Sequence, residues 1–289
     1  MIYNTDMIKK MQQAQLEIYK DFELLCNEAG VSFFVAYGSV IGAIRHKGFI
    51  PWDDDMDVGM LRDDYDKLIQ YMIDNPNEKY ELLTPETQEG YVLSFGKFSK
   101  KGTEYIEAAH SYRTYIPGVA IDIFPFDETT TDEKERNKQI KLTWAWNRIM
   151  VLAQYRVPTL PQNMGVFTQK ICLLVCGLIH YFLRAFGITR EKAYNNYIKH
   201  ARKYNDRNDA VYTDFSEPNC KKILLGKEDI FPAREVVFED TTVLIMNNYH
   251  KALTQLYGDY MELPPEDQRH NHPPKYVDFG DGIKYGEKK

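Results

Sequence analysis

The sequence predicts an α+β protein with a mainly helical C-terminal half. Three observations carry this reading. Up to about residue 130, short apolar strand-like runs alternate with amphipathic helical periods. Beyond it, long helical patterns dominate. Between them in importance stands the stretch from Val35 to Met60, VAYGSVIGAIRHKGFIPWDDDMDVGM, which places Asp53, Asp54, Asp55 and Asp57 within five residues. Carboxylates this close repel one another, so a cation or full hydration must offset the repulsion.

The elements follow in order. Met7, Met11, Ala14, Ile18, Phe22, Leu25 and Ala29 are spaced by four and three, an amphipathic helix stopped by Gly30. Val31 to Tyr37 is a mostly apolar and therefore central strand. Gly38-Ser39 breaks it, and SVIGAIR opens a short helix. Met56 to Met60 is a second strand. Arg62 to Asp74 is a helix with Tyr65, Leu68, Ile69 and Met72 on one face. Tyr80 to Leu83, Tyr91 to Ser99 and Thr103 to Glu107 read as antiparallel strands, with Gly102 in the last turn. Val119 to Phe124 is another strand, ended by Pro125. Thr131 opens a helix to about Gln154, and Val166 to Phe186 and Arg190 to Tyr204 fit two more. Asp206 to Asn219 reads as a loop, Lys222 to Leu225 and Glu235 to Phe238 as short strands, and Asn248 to Leu256 as a helix. The Pro- and Gly-rich tail is expected to be irregular.

Composition excludes some functions. With 44% hydrophobic and 27% charged residues, the 289-residue chain is an ordinary globular protein able to bury a core. A net charge of −6 disfavours a general nucleic-acid binder, though not a nucleotide held through metal ions. Cys26, Cys172, Cys176 and Cys220 form no CxxC pair, so no structural zinc site is expected. The N-terminus MIYNTDMIKKMQQ has no apolar signal region, which suggests a reduced, cytoplasmic protein. In Val166 to Ile188, Lys170, His180 and Arg184 leave an uninterrupted apolar part of about ten residues, too short to span a bilayer. A buried helix is the first expectation. A helix lying on a membrane surface, with Lys170 and Arg184 snorkelling, is the second, and would associate the protein with the inner face of the membrane.

Strand alternation sorts the aspartates. Asp55 and Asp57 share one face while Met56 and Val58 point to the core. Asp122 sits in VAIDIF between branched apolar neighbours, where a carboxylate needs a partner or a metal. Together the three form a cluster suited to two magnesium ions, or manganese, clamping a phosphoryl group. Gly38 lets a phosphate approach the backbone, and Ser39 can donate a hydrogen bond at a helix start. A calcium loop is excluded, because Val58 and Asp64 stand where Gly and Glu are required.

Gly-Ser, then Asp-x-Asp on a strand, then a strand-borne Asp, resembles the nucleotidyltransferase fold of the polymerase-beta type, a mixed sheet with flanking helices. AYGSVIGAIRHKGFIPWDDDMDVGM resembles more narrowly the signature of the LicD family, related to fukutin. FGKFSKKGTEYIE, IDIFPFD and the tail block LYGDYMELPPEDQRHNH also look like family blocks. The resemblance implies a nucleotidyltransferase-fold catalytic core over residues 1–130. Residues 131–289 would be a mainly helical region packed on it, ending in a family-like segment. It implies metal-dependent transfer of a phospho-alcohol, typically phosphocholine from CDP-choline. The acceptor would be a sugar hydroxyl of a surface-glycan precursor, teichoic acid or lipopolysaccharide, sometimes lipid-linked, and CMP would be released. Other members use a different CDP-alcohol, such as ribitol phosphate. By position, Asp55, Asp57 and Asp122 become the metal-binding and catalytic carboxylates, with Asp122 the candidate base. Gly38 and Ser39 become the nucleotide-phosphate turn, and Arg45 and Lys97 the preferred phosphate-binding cations. A choline head group needs aromatic faces, for which Tyr37, Trp52, Tyr112, Trp144 and Trp146 are candidates. His270 and His272 suit an exposed or acceptor-binding role. The competing activities are transfer of a nucleoside monophosphate to a small molecule and non-enzymatic glycan binding.

Overall fold

A computed structural model describes residues 5–107, 113–160, 164–205, 211–269 and 274–288. The helix α1 (Thr5–Ala29) buries Met11, Ile18, Phe22, Leu25 and Cys26. Gly30, at φ 64°, ends it. β1 is only Phe34–Val35, shorter than the predicted strand, because Tyr37 already begins α2 (Tyr37–Ile41), which continues as a π-turn over Gly42–His46. β2 (Asp57–Leu61) leads directly into α3 (Arg62–Asp74).

β3 (Tyr80–Leu83), β4 (Gly96–Lys100) and β5 (Glu104–Glu107) follow. The predicted strand from Tyr91 starts late. The Arg190 guanidinium donates to the carbonyls of Pro85 and Tyr91, so a side chain there takes bonds that a ladder would need. β6 (Ala120–Thr129) does not stop at Pro125. Its antiparallel partner β4 reaches only Ile123, and β7 (Val211–Thr213) pairs only from Asp127. The missing N–H of Pro125 falls in the gap between them.

Next come α4 (Glu133–Gln154), capped by the Asp132 carboxylate on the Glu135 N–H, then α5 (Val166–Ala185) and α6 (Arg190–Ala201). The expectation that α5 is buried is wrong. Only Gly177, His180 and Leu183 are buried in it, because α5 rests on α4 through one narrow side. The His180 Nδ1 lies 2.7 Å from the Leu152 carbonyl there. By length and composition alone α5 is long and apolar enough to cross a membrane, which corrects the ten-residue reading.

Strand β7 occupies part of the segment read as a loop, and the predicted strand at Lys222–Leu225 is instead a 3-10 turn, Cys220–Lys222, followed by a single bridge from Leu225 to Tyr212. After α7 (Lys227–Ile230) come β8 (Arg234–Phe238), the unforeseen β9 (Thr241–Ile245) and α8 (Tyr249–Tyr257). The tail is not irregular. β10 (Pro274–Asp278) and β11 (Lys284–Gly286) form a hairpin around the FGDG turn, and β10 adds to β5 in a three-stranded sheet.

The main sheet is mixed, in the order β3-β4-β6-β2-β1-β9-β8, with β7 on the outer half of β6. The pairs β2–β6 and β1–β9 are parallel and the others antiparallel. One face packs Met56, Val58, Ile121, Ile123 and Phe98 against α1 and α3. The opposite face carries Phe34 and Phe126 toward Leu225, Ile230 and Ala252. A third cluster joins Val92 and Met150 to Tyr194 and Tyr197.

Arg62, at the start of α3, clamps the sheet. Its Nε and Nη2 each donate to one oxygen of Asp127 at 2.7 Å, and both side chains are buried. Replacing Asp127 by Ala strands a buried guanidinium and should remove about 3–5 kcal/mol of stability, read by urea denaturation. The paired replacement Arg62→Met with Asp127→Leu should lose less than Asp127→Ala alone. A larger loss in the pair would contradict this account.

Candidate active site

Parallel pairing sets Asp57 of β2 opposite Asp122 of β6, and antiparallel pairing sets Lys97 of β4 opposite the same Asp122. The three side chains stand in one row across three strands, on the face opposite Val58 and Ile123. The Lys97 Nζ donates to the Asp122 Oδ1 at 2.6 Å and lies 3.9 Å from the Glu107 Oε1. Arg113 reaches that same glutamate oxygen at 3.5 Å.

Asp55 joins the row from the segment before β2. With Asp122, Lys97 and Tyr105 it lines a cavity of about 200 Å³. Asp53, given a lesser role by its place in a turn, lies closer than the sequence suggests. Its carboxyl is hydrogen-bonded to Asp55, and a Cβ on Gly38 would sit 3.1 Å from its Oδ2. Ser39 is buried, and its Oγ accepts the Asp57 N–H at 3.0 Å, which leaves its own hydrogen to be donated elsewhere. Two side chains of α1 fasten the acidic turn. Gln12 donates to the Asp53 and Ile50 carbonyls at 2.8 and 3.2 Å. Gln15 donates to the Asp54 and Ala120 carbonyls at 3.0 and 3.3 Å. Sequence reasoning missed both, although a glutamine within the buried stripe Met11, Ile18, Phe22 was a legible signal.

The electrostatics follow from crowding. Burial, then the charges of Asp55, Asp122 and Asp53, push the Asp57 carboxyl well above the ordinary range, and Lys97 opposes them. Burial and Asp55 push Asp53 up to about 9. Burial also raises Asp122, again against Lys97. Burial disfavours the charged form of Lys97, but Asp122 and Glu107 outweigh it and keep the ammonium. Tyr257 is half exposed, yet its hydroxyl is held protonated by partial burial and the charges of Asp57 and Glu217.

An aromatic surface borders the row. Phe124 lies two residues beyond Asp122 on the same face. Phe95 stacks on it at 4.6 Å between centroids, and Tyr37 meets it edge-on at 5.1 Å. The Lys97 ammonium lies 5.7 Å from the Phe95 centroid. Tyr37 holds the left-handed conformation at φ 53°, and its hydroxyl donates to the buried Asp214 at 2.7 Å. Burial pushes Asp214 up to about 6. Of the aromatic candidates, Tyr37 is therefore at the site. Trp52 lies under the Arg269 guanidinium, 4.6 Å from its centroid, Trp144 beside Arg148, and Trp146 against the third cluster. Tyr112, His270 and His272 lie outside the described residues.

Arg45 points away from the row. Its Nη1 donates to the carbonyls of Tyr260 and Glu262 at 2.8 and 3.2 Å. With Trp52, Tyr257 and Pro265 it lines a second cavity of about 430 Å³. The aspartate block and the tail block, distant in sequence, thus meet at Arg45 and at Trp52.

With this geometry in view, comparison with known proteins places the chain in a family. Residues 30–156 match the family described as LicD/FKTN/FKRP, nucleotidyltransferase domain. The lipopolysaccharide cholinephosphotransferase LicD of Haemophilus influenzae is 30% identical over 272 residues, covering 92% of this chain and 95% of that protein. An uncharacterized protein of Rickettsia prowazekii is 34% identical over 79 residues, 27% of this chain and 26% of its own length. The chain belongs to the LicD family.

Among the described residues, no three His, Cys, Asp or Glu side chains are arranged as a finished metal centre. The Lys97 ammonium sits on Asp122 instead. In kind, however, the donors fit a hard divalent cation, since all are carboxylate oxygens, and burial together with their mutual repulsion raises Asp53 and Asp57.

Burial and repulsion together have a pH signature. In the unfolded chain Asp53 ionises near about 3.9, whereas in the folded protein it keeps its proton up to about 9. Below pH ~4 both states are protonated and the group is neutral to stability. As pH rises from there toward 9, the unfolded state loses its proton first, so stability falls. Melting temperature in a chelator should decline across this window, and Asp53→Asn should flatten the decline. An unchanged slope in the variant would contradict the assignment.

Proposed function

We propose that the protein transfers phosphocholine from CDP-choline to a sugar hydroxyl of a lipopolysaccharide-type glycan precursor, releasing CMP. The row Lys97–Asp122–Asp57 is the observation that carries the reading, and likeness over nearly the whole length to a cholinephosphotransferase supports it. A nucleotidyltransferase-type fold is the framework this implies, and the mixed sheet with aspartates on adjacent parallel strands is consistent with it.

Asp55, Asp57 and Asp122 would hold two Mg²⁺ ions, or Mn²⁺ in their place. When bound, the metal supplies charge neutralisation at the diphosphate. Lys97 adds a fixed positive charge beside the reacting phosphoryl group. Asp122, with a raised pKa, accepts the proton of the acceptor hydroxyl. Ser39 offers its free hydroxyl hydrogen to a donor phosphate, and Gly38 keeps the backbone open beside it. The faces of Phe95, Phe124 and Tyr37 suit the quaternary ammonium of choline, which donates no conventional hydrogen bond. Arg45, tied to the tail carbonyls of Tyr260 and Glu262, would meet the donor only from the second cavity.

The test is incubation with CDP-choline, Mg²⁺ and a lipopolysaccharide-type acceptor, read by product mass. Gain of phosphocholine with release of CMP is expected. Addition of a nucleoside monophosphate to the acceptor would overturn the reading, and transfer only from CDP-ribitol, or only to a teichoic acid, would replace its donor or its acceptor. Asp122→Asn should lower turnover by about 10²- to 10⁴-fold. A near-normal rate would remove its role as base.

A further inference from the structure

The helix α5 carries an apolar stripe with no protein over it among the described residues. Phe167, Leu174, Leu178, Phe182 and Phe186 are 78, 65, 64, 58 and 68% exposed. Their spacings of seven, four, four and four place them on one side of the helix, over about 30 Å. The opposite side carries the buried residues Gly177, His180 and Leu183, of which His180 contacts the Leu152 carbonyl of α4.

Charge selects what covers the stripe. From Arg136 to Arg190 the sequence has eight Lys or Arg residues and no Asp or Glu, in a chain of net charge −6. Helical geometry sets Lys170, Tyr181 and Arg184 along one margin of the stripe. Arg156 joins that margin, with its guanidinium 5.7 Å from the Tyr181 centroid. A second copy would bring two positive helices together, whereas an anionic lipid surface complements both the stripe and its cationic edge.

We infer that α5 docks the protein on an anionic bilayer, lying in the interface with its apolar stripe down and Lys170, Arg184 and Arg156 among the head groups. The helix lies flat rather than spanning. It stays fastened to α4 through His180, and it leads directly into α6, whose Ala193 and Tyr197 are in the core. The inference is independent of the transfer reading, because its test reads binding and not turnover.

The full chain is mixed with vesicles of phosphatidylcholine containing about a third phosphatidylglycerol, and with phosphatidylcholine alone, then floated. Binding to the anionic vesicles at low salt is expected, with partitioning at least about tenfold weaker on neutral vesicles or in ~0.5 M salt, where charges are screened beyond a few ångströms. The variant Leu174→Asp with Leu178→Asp should lose about tenfold or more of the binding, with circular dichroism and melting temperature unchanged, since both side chains are exposed. Absence of binding by the unaltered chain would overturn the inference, as would equal binding by the variant. So would a dimer that the variant dissolves in sedimentation velocity without vesicle binding, which would assign the stripe to a second copy.

Discussion

Asp57 and Asp122 face each other across a parallel ladder, with Asp53 and Asp55 beside them and the Lys97 ammonium bonded to Asp122. Like charges this close in a half-buried place raise one another's pKa, and one lysine does not balance them. Much of the surrounding structure acts to hold the carboxylates together against that repulsion. Gln12 and Gln15 tie the acidic turn to α1, and Ser39 fixes the first amide of β2. Behind the row, Val58, Ile121 and Ile123 are fully buried, so the strands cannot slide apart without exposing the core. Arg62 and Asp127 lock the far ends of β2 and β6 in the same way.

The same constraint explains what lies next to the row. Tyr37 adopts a left-handed conformation that a tyrosine seldom takes, and its bond to Asp214 holds its ring against Phe124. A left-handed tyrosine and crowded carboxylates therefore both cost stability in this one region. The tail contributes from outside: Arg45 and Trp52 of the aspartate block meet Tyr260 and Arg269 of the tail block across the second cavity.

Much of this was legible in the sequence because strand alternation is a strong local rule. Asp55, Asp57, Asp122 and Lys97 do converge, and Gly38 and Ser39 do adjoin them. The adjacency of β2 and β6 was not readable from alternation, since it depends on pairing between segments some 65 residues apart. Asp53 was undervalued because a turn gives no face to assign. The strand through Pro125 was cut short because its tolerance depends on where β4 ends and β7 begins. The tail hairpin was missed because its strands are short and gain their stability from β5. The exposure of α5 was missed because apolar periodicity marks a face to be covered, not what covers it.

The central claim is that this carboxylate row exists to hold a divalent cation for phosphoryl transfer. Titration of the purified protein with Mn²⁺, followed by electron paramagnetic resonance, measures this directly. The account predicts saturable binding that weakens at least about tenfold in Asp57→Asn, because one of few charged oxygen donors is lost. Absence of saturable binding, or equal affinity in the variant, would contradict it.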